Sequence, residues 1–66
     1  MKEADIWRIA NDLIREYGAE AESCARFRGQ KLRDEGIADG AEEWQRVAEA
    51  IAELKRLTPG SDETVN

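Results

Sequence analysis

The sequence of 66 residues contains no histidine, one cysteine and one proline. Without histidine, the chain lacks the commonest general base, the commonest metal ligand and every catalytic triad that depends on histidine. The single Cys24 has no partner for a disulfide within the chain. No run approaches the roughly 18 apolar residues that a membrane-spanning helix needs, so the sequence also predicts no membrane span.

Large apolar residues are scarce as well. Leu, Ile, Val and Phe together number twelve, and alanine alone contributes ten residues to the hydrophobic fraction. With a net charge of −5, this composition is typical of disordered chains, so the pattern of the sequence has to supply the evidence for a fold. The length allows one small domain, which we place at residues 1–66, and excludes a multidomain enzyme.

Apolar residues recur at spacings of three and four in three segments, which predicts an all-α fold. We expect helices at about residues 3–17, 19–35 and 40–57, followed by a frayed, flexible tail at 58–66. The apolar stripes are Ile6, Ile9, Ala10, Leu13, Ile14 and Tyr17 in the first segment, Ala21, Cys24, Ala25 and Leu32 in the second, and Trp44, Val47, Ala48, Ile51, Leu54 and Leu57 in the third. The sequence therefore predicts a small three-helix domain whose thin core makes self-association an alternative source of stability.

Glycine and acidic residues mark the predicted helix ends. Gly18 follows the first stripe, at a position where a left-handed helix cap favours glycine. Gly36 stands between Leu32 and Ile37 in the spacing of a Schellman stop. Asp39 is predicted to cap the start of the third helix in an acidic variant of the capping box.

The order and spacing of the following residues along the chain form a recognisable pattern: Trp7, Ala10, Leu13, Ile14, Tyr17, Gly18, Ala21, Ala25, Arg26, Leu32, Gly36, Gly40, Trp44, Ala48, Ile51 and Leu54. From about Asp5 to Leu57, this order resembles a family of small uncharacterised alphaproteobacterial proteins classed as a domain of unknown function. The resemblance implies a bacterial protein with a short helical fold and no known activity. It implies no catalytic residues.

The carboxylates do not predict an active site. Of the acidic pairs along the chain, only Glu49 and Glu53 share a helix face, and we expect that face to lie opposite the apolar stripe, in solvent. Cys24 lies on the inner stripe of its helix and is interpreted as a small core residue. We therefore predict no enzyme, no catalytic residue, no cofactor, no metal site and no small-molecule substrate.

A basic block on the second segment raises the alternative of nucleic-acid binding. Arg26, Arg28, Lys31 and Arg33 carry four positive charges without an intervening acid, and a helix, a turn and a helix follow one another there. The segment that would enter the DNA groove, however, opens with Glu42 and Glu43, and the chain outside the block carries a net charge of −9. Repulsion from phosphate disfavours this alternative.

Three residues are candidates for binding a protein partner. Trp7 and Phe27 are each offset from the apolar side of their helices, and an exposed aromatic side chain is a frequent anchor of a protein interface. The equally good alternative is that both are core aromatics in a chain with few large apolar residues. Arg28 falls inside the apolar stripe of the second helix. Its angular position around the helix axis is about 340°, when that of Ala21 is set to zero and each residue advances about 100°. Either its guanidinium stacks on a tryptophan or pairs with a carboxylate at the edge of the core, or it contacts a partner directly.

The sequence thus favours a non-enzymatic, acidic, helical interaction module that binds a protein partner or forms a homodimer. Its charged start differs from a signal peptide, so we expect a cytoplasmic location. The alternative is a small acidic inhibitor from a phage or mobile element, similar to an anti-CRISPR protein, that binds a nucleic-acid-handling protein through its carboxylates.

Overall fold

The structure, a computed structural model, describes residues 2–57. Helix α1 spans Glu3–Tyr17, α2 spans Ala21–Asp34 and α3 spans Ala38–Leu57, and no strand occurs among the described residues. The predicted all-α fold with three helices is confirmed. The tail predicted at 58–66 lies outside the described residues.

Helices α1 and α2 form one run of helix that bends at Gly18. This glycine has a φ of +58°, which residues with a Cβ rarely adopt, and its N–H donates to the carbonyl of Ile14. A 3₁₀ turn, Gly18–Glu20, leads directly into α2. The second helix therefore begins at Ala21, two residues later than predicted, because the residues after the bend take the tighter 3₁₀ geometry.

The connection between α2 and α3 is the predicted Schellman stop. The N–H of Gly36 donates to the carbonyl of Arg33 at 3.0 Å, and the N–H of Ile37 donates to the carbonyl of Leu32 at 2.8 Å. Gly36 has the required positive φ, +81°.

Helix α3 begins two residues earlier than the predicted start at about residue 40. The carbonyl of Ile37 already accepts a bond from the N–H of Ala41 at 3.1 Å, so the helix begins at Ala38. Asp39 consequently lies in the first turn of α3 and is not its cap. A carboxylate in that turn still interacts favourably with the positive end of the helix dipole.

Helix α3 runs antiparallel to α2 and lies close to it. A Cβ placed on Gly29 would lie 3.3 Å from Cβ of Trp44, whereas Lys55, further along α3, donates to the carbonyl of Ala19 before the start of α2. Ala21, Ala25 and Gly29 are all buried and follow one another at intervals of four residues, so the small side of α2 faces α3.

The core consists largely of small side chains. Its buried members are Ile6, Ala10, Leu13, Ala21, Ala25, Val47, Ala48, Ala50 and Ile51. Five of these nine residues are alanine, and Val47 and Ile51 are the largest fully buried side chains among the described residues. The thin core that the composition predicted is thus present, and aromatic side chains pack only at its edges.

Candidate functional site

An open depression between α2 and α3 brings several predicted site residues together. Its volume is about 540 Å³, and it is lined by Cys24, Phe27, Arg28, Lys31, Leu32, Glu35 and Trp44. We call it the Trp44 groove. All of its lining residues belong to α2, to the residue that follows α2, or to α3, so α1 does not contribute to it.

The Trp44 groove is the part of the helix pair that α1 leaves uncovered. Helix α1 has 15 residues and α3 has 20, which correspond to lengths of about 22 Å and 30 Å. Near its start, α1 faces the part of α3 from Arg46 onward, because Ile6 and Trp7 share a depression with those residues. Trp44 lies before that stretch and is only half-buried.

Arg28 lies at the edge of the groove, over the ring of Trp44. Its Cζ is 5.2 Å from the ring centroid, within the range of a cation–π contact, which contributes about 0.5–1 kcal/mol at an exposed site. The interpretation that the guanidinium stacks on a tryptophan is thus confirmed. Arg28 is nevertheless exposed, because the apolar stripe of α2 is open to solvent at this level.

Phe27 presents a large apolar surface to solvent beside this stacked pair. Its side chain is 64% exposed, which agrees with its predicted offset from the apolar side of α2. Leu32 and Cys24 are half-buried and also line the groove. The surface therefore combines an exposed ring, a half-buried ring and a guanidinium.

Trp7, the third candidate, lies elsewhere. It is half-buried in a second depression, lined by Glu3, Ile6, Trp7, Arg46, Glu49, Ala50, Glu53 and Leu57, which we call the Trp7 face. Three carboxylates and one guanidinium give this face a net charge of −2. The structure thus joins Phe27 and Arg28 in one surface and separates them from Trp7.

Glu49 and Glu53 are exposed, as predicted. They line the Trp7 face together with Ile6 and Trp7 of α1, which the sequence did not indicate. Leu57, predicted to belong to the apolar stripe, is 67% exposed at the edge of the same face. The Trp7 face is therefore both acidic and partly apolar.

The basic block on α2 divides between two sides of the helix. Arg28 and Lys31 line the Trp44 groove, whereas Arg26 and Arg33 line a smaller depression on the other side of Gly29. Arg26 also forms an ion pair with Glu22 at 2.8 Å. The four bases consequently do not form one continuous stripe of the kind that follows a phosphate backbone.

Sequence reasoning assigned Trp44, Leu32 and Cys24 to the core and missed their place in the groove. The unequal predicted lengths, 15 residues for 3–17 and 18 for 40–57, could have indicated it, since the shorter helix cannot cover the whole of the longer one. Gly29 was also missed, because a residue without a side chain contributes nothing to a hydrophobic stripe. Gly29 follows Ala25 by four residues and Ala21 by eight, and this spacing of small residues could have indicated a close contact with another helix.

Among residues 2–57, no three acidic, cysteine or histidine side chains cluster in a way that would hold a metal ion. None of the described helices combines the length and the apolar character needed to cross a bilayer. No family model matches the chain, and neither the curated proteins nor the solved structures give a significant match. The resemblance to the alphaproteobacterial family stays a prediction.

Proposed function

We propose that this chain is a non-enzymatic protein-interaction module and that the Trp44 groove is its binding surface. The observation that supports it is the 64% exposure of Phe27 next to the stacked Arg28 and Trp44. Tryptophan, tyrosine and arginine are the residues most enriched among those that dominate binding energy, and large exposed apolar side chains in a cluster mark interaction sites. The proposed compartment is the bacterial cytoplasm, where the single Cys24 stays reduced.

The stacking of Arg28 prepares the groove for binding. A guanidinium already held over an indole loses less conformational freedom on association than a free arginine side chain. The N–H groups of the exposed guanidinium are donors that suit a carboxylate or carbonyl of the partner. Phe27 supplies apolar area that becomes buried only in the complex.

Affinity capture from an extract of the source cells tests this proposal with two variants. Phe27→Ser removes the exposed ring from the groove, and Tyr17→Ser is the matched control, since Tyr17 is also an exposed aromatic (43%) but does not line the groove. We expect proteins that the parent chain and Tyr17→Ser both capture and that Phe27→Ser loses by about tenfold or more.

Each protein lost in this way is then purified and titrated against the parent chain. Saturable binding that Phe27→Ser weakens and Tyr17→Ser preserves supports the groove as the binding surface. If Phe27→Ser captures the same proteins with unchanged affinity, the groove is not the binding surface and the proposal is wrong.

A second candidate function, the acidic inhibitor of a nucleic-acid-handling protein, is favoured by the carboxylates of the Trp7 face. Glu3, Glu49 and Glu53 present negative charge along one side of the molecule, as a phosphate mimic requires. Glu49→Lys/Glu53→Lys should then abolish capture while Phe27→Ser preserves it. Capture that depends on Phe27 and barely responds to salt would contradict this function.

A further inference from the structure

We infer that the Trp44 groove binds the Trp7 face of a second copy of this chain, so that copies associate head to tail. The inference rests on the proposed function, because it names the partner of the same groove. It starts from the observation that one small chain carries two partly apolar depressions of opposite charge.

Charge and apolar character match between the two surfaces. The Trp44 groove has Arg28 and Lys31 against Glu35, whereas the Trp7 face has three carboxylates against Arg46. Each surface also has a strongly exposed apolar side chain, Phe27 at 64% and Leu57 at 67%. Contact between unlike surfaces brings bases to acids and buries both apolar side chains, whereas groove against groove would place like charges together.

The positions of the two surfaces on α3 determine the form of the assembly. Trp44 and Glu53 are nine residues apart, which corresponds to about 180° around the helix at about 100° per residue. The α3 side chains of the two surfaces therefore lie on opposite sides of that helix. From this we expect that two copies cannot make both contacts with each other at once. Such a heterologous contact leaves one surface free at each end, and association continues beyond the dimer.

Two complementary double variants test this arrangement. Phe27→Ser/Lys31→Glu disables the groove, and Glu53→Lys/Leu57→Ser disables the face. All four residues are exposed, so neither variant removes a core contact, and circular dichroism checks that both stay helical. The mass of each variant and of their mixture is measured by sedimentation equilibrium.

We expect each variant alone to stay at the monomer mass of 7.5 kDa. Their equimolar mixture should form a 1:1 complex of twice that mass and nothing larger, because only one intact groove and one intact face remain. The parent chain should exceed the dimer mass as its concentration rises. Raising NaCl from about 0.05 M to about 0.5 M should weaken the mixed complex about fivefold.

Two outcomes overturn the inference. If Glu53→Lys/Leu57→Ser alone still dimerises, the groove binds the groove of another copy and the contact is symmetric. If the mixture and the parent chain both stay monomeric at about 1 mM, a second copy is not the partner. In that case the proposed function survives when Phe27→Ser loses a captured protein, and it fails when Phe27→Ser loses none.

Discussion

Arg28 is the residue at which stability and binding are most easily told apart. Its guanidinium lies 5.2 Å from the Trp44 ring centroid, but the side chain is exposed, so the contact contributes little to folding. Arg28→Met keeps the apolar stem and removes the charge. We expect the free energy of unfolding to fall by less than about 1 kcal/mol, and binding at the groove to weaken about tenfold or more.

Arg26→Met is the control for this change. Arg26 lies on the same helix and forms an exposed ion pair with Glu22, but it does not line the groove. A pair of this kind contributes about 0.3–0.5 kcal/mol. Chemical denaturation and sedimentation of both variants make the comparison. Arg28→Met with unchanged binding, or with a loss of stability above about 2 kcal/mol, would contradict the role given to Arg28.

Gly36 has a role that depends only on its backbone. Nothing lies within 4 Å of a Cβ built on it, so a substitution there changes the strain at a φ of +81° and no packing contact. Gly36→Ala should lower the free energy of unfolding by about 1 kcal/mol, and Gly36→Asn should lower it less, because asparagine tolerates left-handed geometry better. Urea unfolding of the two variants measures the difference. Equal stability of Gly36→Ala and the parent would contradict the Schellman stop.

At the scale of the elements, the closeness of α2 and α3 depends on Gly29. A Cβ there would lie 3.3 Å from Cβ of Trp44 and 3.4 Å from the carbonyl oxygen of Ala41, neither of which lies at the end of a flexible side chain. Gly29→Val should force the two helices apart and lower the free energy of unfolding by about 1–3 kcal/mol.

Ser23→Val is the matched control for Gly29→Val. Ser23 is an exposed residue of the same helix, so the same β-branched side chain should change stability there by about 0.5 kcal/mol or less. Thermal melting of both variants tests the prediction. Similar melting temperatures for the two would mean that α2 and α3 are not in close contact at Gly29.

The existence, type and order of the helices could be predicted from the sequence, because apolar stripes at helical spacing and a Gly36 stop are local signals. Leu57 shows where the pattern fails. The predicted stripe runs from Ile51 to Leu54 and then to Leu57. Each interval of three residues turns about 300° around the helix, so Leu57 lies about 120° away from Ile51 around α3. This rotation is enough to move Leu57 from the core to the edge of the Trp7 face, where it is 67% exposed.

The Trp44 groove could be predicted only in part. The sequence places Phe27 beside the apolar stripe of α2 and Arg28 inside it, and both line the groove. Trp44 and Leu32 could not be separated from the core, because their exposure depends on how far α1 extends along α3. That in turn depends on the direction of the bend at Gly18, where φ is +58° and ψ is −121°. The sequence does not specify these angles, because glycine allows many backbone conformations.

For the whole molecule, the small core and the two uncovered surfaces have one consequence in common. Because Val47 and Ile51 are its largest fully buried side chains, we expect the described part of the chain to have a low free energy of unfolding on its own. Association with further copies would add to that stability by mass action. Folding and assembly should therefore be coupled.

This coupling predicts a melting temperature that rises with protein concentration. Between about 10 μM and about 1 mM, we expect an increase of several degrees, which corresponds to about 1 kcal/mol for a domain of this size. Calorimetry or circular dichroism measures it, and Phe27→Ser/Lys31→Glu is the control whose melting temperature should not change. A parent chain that melts at one temperature throughout this range would contradict the coupling.

The chain has two tryptophans, one in each of the proposed contact surfaces, and this allows the most direct test of the head-to-tail contact. The measurement is a dilution series of the ¹⁵N-labelled parent chain, in which the indole N–H signals of Trp7 and Trp44 are followed by NMR. Head-to-tail association predicts that both signals shift with concentration and give the same dissociation constant. A shift of the Trp44 signal alone, or of neither signal up to about 1 mM, would contradict it.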